Sequence, residues 1–166
     1  MAGLIAARNS WVLGLGLAFL ASAGLAQGRL DEYRVNFERE TDPVRKARAL
    51  PKYGDALIER AGQQLQASEV DAALKTLEQY RDAVATSHSA LKASGINGEK
   101  KPSGFKQLEI HVRRGVRRLE DLIVNVPFER RKPFEDVQKQ LAQVDHELIE
   151  MLFPRRPAKT ESKAKS

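Results

Sequence analysis

The stretch from Pro133 to Met151 reads PFEDVQKQLAQVDHELIEM. Its apolar residues Phe134, Val137, Leu141, Val144, Leu148 and Met151 recur at spacings of 3-4-3-4-3. That period places all six on one stripe of an α-helix and matches the seam of a coiled coil or helical bundle. The run is under three heptads, so packing inside a bundle is favoured over a free-standing coil. Pro133 stands where a first helical turn tolerates a residue without an N–H.

Working back from this helix, a short basic connector from Phe128 to Lys132 follows Pro127, which is expected to stop a fourth helix. That helix carries Phe105, Leu108, Val112, Val116, Leu119, Leu122, Ile123 and Val126. Ahead of it, Ser94 to Gly104 is a long polar turn, expected to be the most exposed loop. A third helix, capped by Ser68, runs to about Ala93 with Val70, Leu74, Leu77, Val84 and Leu91 as its stripe and Ala73, Tyr80 and His88 beside it. The second helix follows Thr41-Asp42-Pro43, a cap residue and an early proline, and carries Val44, Ala47, Leu50, Leu57, Ile58, Ala61 and Leu65. Pro51 and Gly54 fall inside it, so a kink or a split is expected. Leu30, Tyr33 and Phe37 mark a short first helix.

No segment alternates in the manner of a strand. The expected fold is therefore all-α, an antiparallel helical bundle or helical-hairpin array of four to five helices over residues 27–153. Asp55–Val84 looks like a single tetratricopeptide-like hairpin, but Ala73 is one position out of register and no second copy follows. It reads as a generic helix pair.

The N-terminal residues carry an address. Arg8 is the only charge among residues 1–26; an apolar run from Trp11 to Leu20 leads to Ala21-Ser22-Ala23-Gly24-Leu25-Ala26. This is the pattern of a secretory signal peptide cleaved near Ala26. Trp11–Ala26 is shorter than the roughly 20 residues that cross a bilayer, and a retained anchor is the alternative. The expected localisation is periplasmic or secreted. At the other end, Pro154–Ser166 offers nothing apolar to bury and reads as a disordered basic tail.

Composition removes several function classes. There is no cysteine, so disulfides, thiol nucleophiles and thiolate metal sites are unavailable. The formal charge is +6. Arg8 and the tail residues Arg155, Arg156, Lys159, Lys163 and Lys165, set against Glu161, hold most of it. The domain between them is near neutral, which argues against a nucleic-acid-binding surface. The aromatic residues after Trp11 fall mostly at apolar helical positions and are expected in the core.

The strongest polar feature lies in the fourth helix. At 100° per residue, Arg113, Arg117, Arg114 and Arg118 fall at about 0°, 40°, 100° and 140°, opposite the apolar stripe. Arg130 and Arg131 follow just past the helix end. These six residues suit an anionic partner such as a lipid headgroup, lipopolysaccharide, teichoic acid or an acidic protein. The alternative is a solvated face, with Glu109–Arg113 and Arg117–Asp121 paired at i, i+4. On that spacing Arg114 and Arg118 are the less compensated pair. The tail adds a possible weak electrostatic contact with an anionic envelope surface.

Other chemistry is thin. His146 and Glu150 share a helix face but make only half a metal site, and no Glu stands three before any histidine. His88 reads as a bonded histidine at the core edge. No phosphate loop, nucleophile elbow or His-Glu-x-x-His is present, so neither an enzyme nor a cofactor is expected. The sequence therefore points to a non-catalytic binding or scaffold module of the cell envelope with a protein or peptide partner. A holdase-like chaperone is the alternative, and a helical metal-handling protein is the minority one.

Overall fold

The computed structural model describes residues 16–154, with side chains from residue 28 onward. The expected tail beyond Pro154 and the first part of the leader lie outside the described residues. Five α-helices pack together: α1 (Gly16–Arg39), α2 (Pro43–Gln66), α3 (Val70–Ala93), α4 (Ser103–Ile123) and α5 (Arg131–Leu152), with one 3-10 turn at Phe128–Arg130. No strand occurs among the described residues, and no helix among them is long and apolar enough to cross a membrane.

The α5 stripe packs as its spacing predicts. Phe134, Val137, Leu141 and Leu148 are buried, and Val144 and Met151 lie half-buried against them. α5 rests on α4 and α3, while α2 packs on α1, α3 and α4. The core thus sits among α2, α3, α4 and α5. α1 is longer than the short helix expected from Leu30, and its C-terminal end docks through Phe37, which is buried 5.5 Å from the Tyr53 ring.

Three local expectations meet different outcomes. Asp42 caps α2: its carboxylate accepts the Arg45 N–H at 2.8 Å, and Pro43 follows at the first helical position. The expected break at Pro51 and Gly54 does not split the chain. α2 is one helix through both, because Leu50, Tyr53, Leu57 and Ile58 bury on either side of the proline and hold the axis. Ser68 is not the cap of α3. It stands in the left-handed region at φ 62°, and Glu69 precedes the helix without a side-chain bond.

The reason for the Ser68 geometry is the end of α2. The Ser68 N–H donates to Leu65 C=O at 3.0 Å and the Glu69 N–H to Gln64 C=O at 2.8 Å. These two bonds form a Schellman closure, which requires a left-handed residue at the Ser68 position. The turn between α3 and α4 is mostly exposed, as expected, yet it is pinned. Gly98 is buried so close to α5 that a Cβ would stand 2.8 Å from the Met151 carbonyl oxygen.

Candidate functional site

The site begins where α2 crosses α4. Gly54 lets α4 approach closely: a Cβ there would lie 2.5 Å from His111 Nε2 and 2.8 Å from Tyr80 Cε2. On the facing helix, a Cβ at Gly115 would run into the Tyr80 hydroxyl and stand 3.0 Å from Cζ. The Tyr80 ring from α3 is therefore held between two glycines. It meets the His111 ring edge-on, with centroids 5.7 Å apart. Three polar atoms in this node have no protein partner: Tyr80 Oη, His111 Nδ1 and His111 Nε2.

Burial sets the charge state of both rings. It pushes the Tyr80 hydroxyl pKa up, reinforced by Asp55. It lowers His111 from 6.5 to about 4, with Asp55 opposing and Arg114 and Arg118 assisting. His111 is thus a neutral imidazole at pH 7, with one N–H donor and one acceptor.

Above His111 an open cleft of about 430 Å³ runs between α2 and α4. Ser103, Lys106 and Arg114 line it on the polar side, and Pro51 and Ile110 on the apolar side. No carboxylate lines it. Arg48 reaches across from α2 and donates to the Ser103 hydroxyl. A second cavity of about 290 Å³ lies among α1, α2 and α3, but its lining mixes Asp31 with Arg34, Arg60 and Lys75.

Four of the six arginines singled out in the sequence have partners within the fold. Arg113 pairs with Glu109 at 3.1 Å, the i, i+4 contact expected, and Glu109 is buried. Beside them, Asp145 of α5 has one buried, unpartnered oxygen; burial and then Glu109 raise its pKa, while Arg113 opposes. Arg113 therefore offsets carboxylates at the α4–α5 contact. Arg118, expected to be uncompensated, bonds Asp55 of α2 at 2.8 Å. Arg130 pairs with Asp71 of α3. Arg131 donates to the carbonyls of Val126 at 2.9 Å and Val124 at 3.1 Å, closing the end of α4.

Among the described residues only Arg114 and Arg117 of the six have neither an ion pair nor a backbone carbonyl partner; the expected Arg117–Asp121 pair is not made. The two point different ways. Arg114 borders the α2–α4 cleft. Arg117 shares an α4 face with Val124, seven residues and nearly two turns on. Val124 is 71% exposed, and Phe128, which opens the elbow between α4 and α5, is 80% exposed. Phe153 is exposed as well; the other aromatic residues with described side chains are buried or packed against the core, as expected of most of them. Phe128 follows Pro127 in a one-turn connector, and Phe153 lies just past the end of α5.

The histidines on α3 and α5 offer little more. His88 is buried with Nε2 3.5 Å from a Glu147 carboxylate oxygen, an approach without hydrogen-bond geometry. Burial lowers its pKa and Glu147 opposes. His146 and Glu150 stand 3.4 Å apart and well exposed. No group of three metal-ligating side chains gathers among the described residues, so a third ligand for that pair is not at hand.

Comparison with known proteins finds no family model, no curated protein and no solved structure that matches this chain.

Proposed function

We propose that this chain is a non-catalytic binding module of the cell envelope that offers the α4–α5 elbow to a protein or peptide partner. The observation that carries this reading is the exposure of Phe128 and Val124, with the unpaired Arg117 on the same helical face as Val124, nearly two turns before it. Aromatic and arginine side chains are the types that most often anchor protein interfaces, and a bare phenylalanine is costly to leave in water. A partner suited to this surface brings an apolar pocket for Phe128 and an acidic group for Arg117. The envelope address rests on the leader pattern of residues 1–26.

A crosslinking pull-down from intact cells tests the reading, using the chain tagged after Ser166 beside a Phe128→Ser, Arg117→Glu variant. One partner at near-constant ratio, lost in the variant while helicity is kept, is the expected result. Capture of many unfolded envelope proteins, equal in both, would contradict it and favour the holdase alternative. That alternative has less to draw on, because the described core already absorbs most large apolar side chains.

A further inference from the structure

The α2–α4 cleft is separate from the elbow and has different chemistry. Lys106 and Arg114 of α4 line it, and Arg48 of α2 reaches its edge by donating to Ser103, which also lines it. Among the described residues no carboxylate pairs with any of the three, although nearly every other arginine on α4 and the elbow has a partner. Unneutralised positive charge gathered at one cleft raises the local positive potential and draws anions to it. The Ser103 hydroxyl, at the first turn of α4, lines the cleft, accepts from Arg48 and adds a neutral donor.

We propose that this cleft binds a phosphate-bearing ligand, with the phosphate held by Arg48, Lys106, Arg114 and Ser103 and its organic portion against Pro51 and Ile110. Two guanidinium forks and an ammonium supply more charged donors than a single carboxylate can accept, whereas a phosphate presents three acceptor oxygens. The cavity of about 430 Å³ lies in the range of small-molecule sites, roughly 300–1,000 Å³. Ile110 gives the organic portion a partly exposed apolar wall. His111 forms the floor, 3% exposed and with both nitrogens buried, so it shapes the cleft without meeting solvent.

The phosphate can belong to a soluble ester or to a lipid headgroup, and two arms separate these sources. In the first, the full chain is titrated with inorganic phosphate and glycerol 3-phosphate and followed by amide NMR shifts. In the second, it is sedimented with vesicles of phosphatidylcholine containing phosphatidic acid. Saturable binding in either arm, weakened at least tenfold by Arg114→Gln and by Lys106→Gln but unchanged by Arg117→Gln, is the expected result. Binding to vesicles alone assigns a lipid headgroup, and binding to the free esters assigns a soluble ligand. No saturation in either arm, equal binding of acetate, or equal loss with Arg117→Gln would overturn the proposal. The three side chains are exposed, so unchanged melting of the variants separates lost binding from lost fold.

Discussion

The two regions that flank α4 are built on opposite principles. Against α5, the contact is an apolar stripe of Phe134, Val137, Leu141 and Leu148, with the buried Glu109 carboxylate paired to a half-exposed Arg113 at its edge. Against α2, the contact is two glycines, a tyrosine and a histidine, close-packed but with three polar atoms unpartnered. The first region is held by area removed from water, which tolerates conservative change. The second is held by shape, since each glycine exists to admit a ring. The α2–α4 crossing also carries the charged cleft.

The largest expected effect tests the stripe. Leu141 is fully buried, so Leu141→Ala should destabilise the chain by about 4 kcal/mol through lost transfer energy and a residual cavity. Urea denaturation measures it, and a loss under about 1 kcal/mol would show that α5 is not seated as described.

The node answers to pH. His111 binds its proton less readily folded, at about 4, than unfolded, near 6.5. Between those values the unfolded chain takes up more protons, so stability falls as pH drops from 6.5 towards 4 and is fully present above 6.5. His88, also lowered by burial, acts in the same direction. For His111 alone the loss amounts to roughly 3 kcal/mol once pH is below 4. NMR titration of the His111 ring checks the cause directly; a midpoint near 6.5 would contradict the buried placement.

A smaller effect of opposite sign marks the limit of the tight region. At Gly62, two turns beyond Gly54 on α2, a Cβ would meet only Leu122 at 3.4 Å. Gly62→Ala should therefore stabilise by up to about 1 kcal/mol, because the chain loses less entropy on folding. Destabilisation measured there by urea would extend the close approach of α2 and α4 past the node.

The contrast also explains what the sequence could reveal. The α5 stripe was legible because its period is local, and the Asp42 cap because cap chemistry acts within three residues. Gly54 was read as a helix breaker, since a glycine's purpose in a contact depends on a ring that arrives from another helix. The same limit governs the charges. Glu109–Arg113 is visible at i, i+4, but Asp55–Arg118 and Asp71–Arg130 join residues 63 and 59 positions apart. Those two hidden pairs, the visible Glu109–Arg113 pair and the carbonyl contacts of Arg131 leave Arg114 and Arg117 of the six. Phe128 is legible as a connector residue, but its exposure is not, because apolarity alone gives no direction where no helical period reaches.

The most direct test of the shape-based packing is a double-mutant cycle on Gly115 and Tyr80. Gly115→Ala alone should cost about 3 kcal/mol, since its methyl runs into the Tyr80 hydroxyl. Tyr80→Phe alone removes an unpartnered hydroxyl and should be neutral or stabilising by up to about 1 kcal/mol. Combined, the two should recover at least about 1 kcal/mol beyond additivity, measured by urea denaturation. Strict additivity would mean that the ring is not seated on Gly115 and would contradict the account.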